Sequence, residues 1–152
     1  MLNLFTIGYT KKSAEKFFGI ISENKIEIVA DVRLYNSTQL AGFSKSVDLQ
    51  YFLKKICNCN YIALKELAPN PSLFENYKNG KTSWSEYEKI YNEFLDTRAN
   101  LDFFYAFKNK RICILCAEST PEHCHRRLLA EKNCKNLWWC KNHTPIKIII
   151  FL

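Results

Sequence analysis

The chain has 152 residues, of which 47% are hydrophobic and 24% are charged, and its formal net charge at pH 7 is +7. This composition excludes a disordered chain, and no apolar run approaches the ~20 residues of a membrane span. The length predicts one domain over residues 1–152. The positive charge permits binding to nucleic acid or another polyanion but does not require it.

Seven cysteines are a high count for a chain of this length. Residues 1–10 have neither the basic start nor the apolar core of a secretory signal peptide. An odd number of cysteines without such a signal favours reduced thiols over a disulfide framework. The sequence therefore predicts a cytoplasmic protein.

The first half of the chain predicts alternating strands and helices. Apolar runs at residues 2–7, 26–32 and 60–64 are typical of strands. Apolar spacing predicts a helix that ends near residue 24. It also predicts a second helix over 47–56, whose apolar face carries Leu49, Phe52, Leu53 and Ile56.

Residues 35–46 have no clear periodicity and are predicted as a loop over the functional site, which Phe43 and Lys45 help to close. The segment 65–81 contains prolines and several asparagines and is predicted as a second, longer loop. Long loops in compact domains are usually functional or mobile.

The second half of the chain is predicted to be mostly helical before its last strands. Ser83, with Glu86 at the third helical position, predicts a capped helix whose aromatic residues belong to the core. A further helical piece is predicted over 100–109. The apolar tail 146–152 is predicted as a strand that must pair or be covered.

Residues 111–127 combine a buried strand with a group of reactive side chains. The apolar run 112–116 predicts the strand. Ser119 and Glu122 then have the spacing of a capping box, which predicts a helix from about residue 120 to residue 132. We expect its leucines to face the core and its cations to be partly solvated (Leu128 and Leu129; Arg126, Arg127 and Lys132).

These elements predict an α/β fold with a mainly parallel central sheet flanked by helices. In open α/β sheets, ligands bind outside the carboxyl ends of the strands. Gly8, Asp31 and Cys116 stand at or just after the ends of three predicted strands. We therefore expect them to lie at one edge of the sheet and to mark the functional site.

The predicted helix start carries Cys124 and His125. Free N–H groups and the positive end of the helix dipole favour an anion or a thiolate there. Arg126 adds a planar cation suited to carboxylate or phosphate. Cys116 on its own fits a core cysteine, whereas Cys124 beside His125 and Arg126 favours a functional pair of thiols.

Three further polar side chains each allow two interpretations. Asp31 and Arg33 either form a structural salt bridge or act as a base (or orienting group) and an anion clamp. Glu118 either orients His125 or acts as a general acid or base, or it is a hydrogen-bonded loop carboxylate.

No metal or other cofactor is predicted. Cys113, Cys116, Cys124 and His125 have ligand types suited to zinc, but an offset of three residues places Cys113 and Cys116 on opposite faces of a strand. The glycines after the first strand do not form a dinucleotide or P-loop motif.

Three motifs are spread along the chain at segments 6–10, 31–33 and 116–126. The third has the pattern Cys-x-Glu followed by Pro-x-x-Cys-His-Arg (Cys116, Glu118, Pro121, Cys124, His125, Arg126). Together they resemble the motifs of the DUF488 family, small proteins of unknown function, over roughly residues 3–145. The resemblance implies an α/β fold and a cysteine-containing site without an established activity.

The sequence supports three functional hypotheses and leaves open whether a reaction is catalysed. The first is a small cytoplasmic enzyme that acts on an anionic, phosphate- or nucleotide-containing substrate by thiol or acid–base chemistry. Its catalytic candidates are Cys116, Glu118, Cys124, His125 and Asp31, and its substrate-binding candidates are Arg33, Arg126, Gly8, Tyr9 and Thr6. The second is a nucleic-acid or nucleotide-binding module that uses the basic residues between 108 and 135. The third is a thiol redox sensor that uses Cys116 and Cys124.

Overall fold

The structure is a computed structural model that describes residues 3–37, 42–97, 102–136 and 147–151. Its strands are β1 (Asn3–Gly8), β2 (Ile28–Asp31), β3 (Asn60–Ala63), β4 (Ile112–Cys116) and β5 (Lys147–Phe151). Its α-helices are α1 (Ala14–Glu23), α2 (Ser46–Cys57), α3 (Pro71–Lys78), α4 (Trp84–Thr97), α5 (Asp102–Ala106) and α6 (His125–Asn136). A short strand that the sequence predicts at 137–140 lies outside the described residues.

The five strands form one parallel sheet in the order β3-β2-β4-β1-β5. This confirms the predicted α/β fold with a parallel central sheet. β4 carries a continuous apolar run and is buried along its whole length, as expected for a central strand covered by helices on both faces.

Each face of the sheet packs against its own set of helices. Alternate residues of a strand point to opposite faces, so Cys113 and Leu115 of β4 join the core under α1 and α2. Ile112 and Ile114 join the core under α3, α4, α5 and α6. The opposite orientation of Cys113 and Cys116 that the sequence predicts follows from this alternation.

The apolar end of the chain is paired, as the sequence predicts. β5 lies parallel to β1 at one edge of the sheet. The ring of Phe151 stacks on that of Phe5 with centroids 5.6 Å apart. This pairing satisfies the backbone groups of β5 on the β1 side and covers part of its apolar surface.

The segment 65–81 is not a continuous loop, and this prediction is wrong. It contains a 3-10 turn at Lys65–Leu67 and the helix α3. Asn70 caps α3 by accepting the Ser72 backbone N–H at 2.8 Å, and Pro71 occupies the first helical turn, where a missing N–H costs little. Residues that normally break structure therefore begin a helix here.

Two expectations near α2 are also wrong. Phe43 packs against Phe17 and Phe18, with ring centroids 5.4 and 5.7 Å away, so it belongs to the core under α1 and α2 and does not close the site. Ile56 was expected on the buried face of α2 but is 56% exposed, because Leu49 and Leu53 already fill that face.

The capping box at the start of α4 is confirmed. Ser83 Oγ accepts the Glu86 backbone N–H at 3.2 Å, and Glu86 Oε2 accepts the Ser83 backbone N–H at 3.0 Å. The hydrogen bonds to Ser83 lower the pKa of Glu86. Among the helices that the structure describes, none has both the length and the apolar character needed to cross a membrane.

Substituting Ser83 by alanine removes both the acceptor for the Glu86 N–H and a donor to its carboxylate. We expect Ser83→Ala to lower the free energy of unfolding by about 1 kcal/mol, measured by urea denaturation at pH 7. Ser85→Ala is the matched control, because Ser85 is exposed in the same helical turn and alanine there favours the helix slightly. Equal losses in the two variants would contradict the capping role.

Candidate active site

The site forms at the carboxyl end of β4. Cys116 is the last residue of this strand, is 4% exposed and lies beside Gly8 of β1. The connections after β1 and β2 lead to α1 and α2 on one face of the sheet, whereas the connection after β4 leads to α6 on the other. Neighbouring strands whose connections diverge leave a crevice at their carboxyl ends, and Cys116 lies in it.

Residues 117–124 form a loop, so the predicted helix start at residue 120 is wrong. α6 begins at His125, and the Glu122 carboxylate bonds to Thr120 instead of capping a helix. The carbonyl oxygen of the buried Pro121 accepts the Cys124 backbone N–H at 3.2 Å. Cys124 therefore lies in a turn immediately before the helix.

The guanidinium of Arg126 holds this loop from the inside. Its side chain is fully buried, so the expectation that it is partly solvated is wrong. Nη1 donates to the carbonyl oxygen of Glu118 and to Cys124 Sγ at 3.6 Å, and Nη2 donates to the carbonyl oxygen of Ser119 at 3.5 Å. Buried carbonyl groups need donors, and arginine supplies them from one side chain. None of the ion pairs between described residues gives Arg126 a carboxylate partner.

Cys116, Cys124 and His125 bring their reactive atoms together. The two sulfur atoms and an imidazole nitrogen lie within 4.8 Å of one another. Cys116 Sγ is 3.7 Å from His125 Nδ1 and 3.6 Å from Nε2. His125 Nε2 also lies 2.9 Å from the carbonyl oxygen of Val32. A carbonyl oxygen can only accept, so this contact places a hydrogen on Nε2, and Nδ1 is then the nitrogen of the neutral ring that can accept a proton.

The two thiols have opposite shifts in pKa. A hydrogen bond from Cys124 lowers the pKa of Cys116, and burial of the thiol opposes this shift. The pKa is lowered further by the charge of Arg126 and by hydrogen bonds from the backbone N–H groups of Ala117 and Glu118. Burial raises the pKa of Cys124, and its hydrogen bond to Cys116 raises it further. Cys116 is therefore the more acidic of the two thiols, and Cys124 is the hydrogen-bond donor between them. The sequence analysis favoured Cys124 as the functional thiol, because Cys116 on its own fits a core residue. In the structure, Cys116 is the thiol whose pKa is lowered.

A small pocket opens over the two sulfur atoms. Its volume is about 40 Å³, enough for a few atoms, since a water molecule needs roughly 10–15 Å³ by a comparable measure. Aromatic side chains from α3 and α4 form much of its wall (Phe74, Tyr77, Trp84, Tyr87). These rings pack against one another, for example Trp84 against Tyr87 at 5.1 Å, so they also fix the size of the pocket.

Glu118 is engaged at the rim of this pocket and does not orient His125. Its carboxylate lies 2.6 Å from Lys78 Nζ, and both side chains are 45% exposed. The carbonyl of Val32 orients His125 instead. The structure thus favours the interpretation of Glu118 as a hydrogen-bonded loop carboxylate.

Asp31 and Arg33 form a buried salt bridge. Of the two interpretations that the sequence allows for them, the structure favours the structural salt bridge over a base and an anion clamp. Arg33 Nε and Nη2 donate to the two carboxylate oxygens of Asp31 at 2.8 and 2.7 Å. Tyr61 donates to Asp31 Oδ2 at 2.7 Å, and the Arg33 guanidinium lies over the ring of Tyr9. Burial opposes the charge of Arg33, but the hydrogen bonds and charge of Asp31 outweigh it and raise the pKa of Arg33.

This salt bridge and the thiols share one edge of the sheet but not one face. Asp31 is level with Leu115, and Leu115 points into the core under α1 and α2, as does Tyr9. Cys116 is the next residue of β4 and points to the opposite face. The structure therefore separates Asp31, Arg33 and Tyr9 from the sulfur cluster, although the sequence groups them in one site.

Thr6 and Gly8 of β1 are on the same face of the sheet as Cys116. Thr6 is fully buried, and its Oγ1 has no hydrogen-bond partner among the described residues. Gly8 lies directly beneath the loop: a Cβ atom there would overlap the carbonyl oxygen of Glu118 and lie 2.8 Å from Arg126 Nη1. Gly8 therefore has a steric role under the loop.

Cys116, Cys124 and His125 also have the ligand types of a soft-metal site. Cys113, the fourth candidate in the sequence, is on the other face of the sheet. The buried guanidinium of Arg126 lies against Cys124 Sγ, and its positive charge favours a thiolate over a cation at this place. We therefore interpret the cluster as a thiolate site.

The basic residues between 108 and 135 are partly neutralised. Lys110 pairs with Glu27, and Lys132 pairs with Asp96. Arg127 contacts two carboxylates (Glu88 and Glu131) and is partly exposed, as predicted. These contacts give no specific support to a nucleic-acid interface, which stays a prediction.

The fold and the sulfur cluster define an α/β protein with a buried thiol site. A family model described as "Domain of unknown function DUF488" matches residues 13–133. Because this match covers more than half of the chain, the protein belongs to the DUF488 family. No curated protein and no solved structure matches the chain.

Sequence reasoning missed three contributors to the site. Lys78 and Trp84 reach it from α3 and α4, and the backbone of Val32 orients His125. The length of the segment 65–81 was a signal that it has a function, but which of its residues approach Cys116 depends on the tertiary packing.

The close approach at Gly8 gives a direct test of the loop geometry. We expect Gly8→Ala to lower the free energy of unfolding by about 1–3 kcal/mol, the usual cost of overpacking, measured by urea denaturation. The added methyl group must displace the Glu118 carbonyl, so the lowered pKa of Cys116 should also rise toward its ordinary value.

Gly19→Ala is the matched control. Gly19 lies in α1, and a Cβ atom there meets nothing within 4 Å. Alanine in a helix should raise the free energy of unfolding by about 0.5–1 kcal/mol. A Gly8→Ala protein as stable as this control would refute the close packing of the loop over β1.

Proposed function

We propose that this protein is a small thiol-dependent enzyme in which the Cys116 thiolate attacks an electrophilic atom of its substrate. The observation that carries the proposal is the convergence of Cys124, His125 and Arg126 on Cys116 at the carboxyl end of β4. A cysteine nucleophile acts as its thiolate, and thiol donors, cations and backbone N–H groups stabilise that form.

His125 is suited to move the proton in this reaction. Its Nε2–H donates to the Val32 carbonyl, which leaves Nδ1, 3.7 Å from Cys116 Sγ, as the proton acceptor of the neutral ring. From there it can accept the thiol proton or return a proton to a leaving group. The anchor on Val32 keeps the ring oriented while Nδ1 changes its protonation state.

The proposed substrate contact differs from the one that the sequence suggests. Arg33 is paired with Asp31 and Arg126 is fully buried, so neither guanidinium is free at the surface. The cation at the rim of the pocket is Lys78, held by Glu118. We therefore assign contact with an anionic group of the substrate to Lys78, while a small electrophilic group enters the pocket.

A site of this kind needs a reduced thiol. None of the six cysteines in the described part of the chain forms a disulfide. Free thiols agree with the expected cytoplasmic location, where disulfides are rare.

The thiolate is tested by the rate at which each cysteine reacts with a small thiosulfonate reagent between pH 5 and pH 10, read by peptide mass spectrometry. We expect Cys116 to react fastest, with a midpoint below the ~8.5 of a free thiol. Cys59 and Cys113 serve as internal controls: burial raises the pKa of Cys59 to about 12 and raises that of Cys113 well above its ordinary value.

Cys124→Ala tests the source of the shift. The lost hydrogen bond to a charged acceptor is worth about 1.5–3 kcal/mol, so the acid dissociation constant of the Cys116 thiol should fall about 10- to 150-fold. A Cys116 that stays inert in the folded, metal-free wild-type protein at every pH would overturn the proposed function. Metal content is measured first, so that a bound ion is not mistaken for an inert thiol.

A further inference from the structure

We propose that Cys124 is a resolving thiol: when a hydroperoxide oxidises Cys116, Cys124 closes a disulfide with it. This inference rests on the proposed function, because it uses the same thiolate at Cys116. It adds a substrate class, small hydroperoxides, and a second sulfur with a defined role.

The placement of the cysteines selects this pair. Cys113 is closer to Cys116 in the sequence, but it lies in the core on the other face of the sheet. Cys57 and Cys59 lie at the end of α2 and just before β3, also on the α1–α2 side. Cys124 is eight residues from Cys116 in the sequence, yet its sulfur lies within 4.8 Å of Cys116 Sγ.

The backbone around Cys124 allows the two sulfur atoms to approach. A disulfide needs a sulfur–sulfur distance of about 2.05 Å, so one of the residues must move. Cys116 is the last residue of the central strand β4, whereas Cys124 lies in the turn before α6 and not within the helix. Its N–H bonds to Pro121 at 3.2 Å within the loop, and its carbonyl accepts the Arg127 N–H at 3.1 Å. The approach therefore comes from rotation of the Cys124 side chain with a small shift of the turn.

The pocket restricts the oxidant to a small one. Its volume of about 40 Å³ matches two or three non-hydrogen atoms, since one water molecule needs roughly 10–15 Å³ by a comparable measure. Hydrogen peroxide fits these limits. The substituent of a larger hydroperoxide would have to remain at the rim, beside Lys78 and Glu118.

The chemistry balances in two steps. The Cys116 thiolate attacks one peroxide oxygen, so an S–O bond forms, the O–O bond breaks, and the other oxygen leaves as an alcohol or water after it takes a proton. Cys116 is oxidised to the sulfenic acid, and the peroxide is reduced. The Cys124 sulfur then attacks Cys116 Sγ, so the S–S bond forms, the S–O bond breaks, and the oxygen leaves as water with the Cys124 proton.

The experiment uses the full-length, reduced, metal-free protein with one equivalent of hydrogen peroxide at pH 7. Cleavage after Arg111, Glu118 and Glu122 separates the two cysteines into different peptides, which are compared by mass spectrometry with and without reductant. We expect most chains to carry a bridge between the peptide that contains Cys116 and the peptide that contains Cys124.

Three variants assign the bridge. Cys113→Ser is needed because Cys113 and Cys116 are in the same peptide. It should retain the bridge, because Cys113 faces the core on the other side of the sheet. Cys124→Ala should lose the bridge and accumulate a sulfenic acid at Cys116, which a cyclic diketone traps. Cys116→Ser should show neither product.

The outcomes separate this inference from the proposed function. A wild-type protein that accumulates sulfenic acid at Cys116 without a bridge would overturn the resolving role and leave the thiolate enzyme standing. A bridge to any other cysteine would also overturn it. If Cys116 resists both peroxide and the thiosulfonate reagent, both proposals fail.

Discussion

The buried guanidinium of Arg126 is the contact on which the rest of the site depends. It donates to two loop carbonyls and to the sulfur of Cys124, so it fixes the conformation of the loop. Its positive charge also lowers the pKa of Cys116. The loop in turn requires a glycine beneath it at Gly8, and it places Cys124 where its thiol reaches Cys116. One side chain thus links the backbone of residues 117–124 to the ionisation of a thiol at the end of β4.

The sheet itself divides the polar residues at its carboxyl edge. Asp31 and Cys116 lie near the same edge, but strand alternation sends their side chains to opposite faces. The salt bridge of Asp31 with Arg33 stabilises the α1–α2 side, where Tyr61 completes it. The sulfur cluster occupies the other side, under α4 and α6. The backbone carbonyl of Val32, just after β2, connects the two regions by its contact with His125.

Much of the fold could be predicted from the sequence, because apolar runs report burial directly. β4 begins and ends at the predicted residues, and Ser83 begins α4 as its capping box indicates. The capping-box spacing at Ser119 gave a wrong helix start. There Pro121 is buried and the Arg126 side chain donates to the Ser119 carbonyl, and these contacts hold the segment as a loop. The lowered pKa of Cys116 could not be predicted from the sequence either, because it depends on hydrogen-bond donors that tertiary packing brings together.

Arg126 forms no ion pair with a carboxylate of the described residues, and this has a consequence for how the site can change during evolution. A buried cation is costly without a compensating charge. The thiolate that we propose at Cys116 supplies a buried one, whereas Glu122, whose carboxylate pKa Arg126 also lowers, is exposed. The two positions are therefore electrostatically interdependent. In a family member in which residue 116 has become a neutral side chain, we expect the arginine at 126 to be replaced as well, or a new acidic residue to have appeared near it. Covariation between the two positions would record the balance of charge in the buried site.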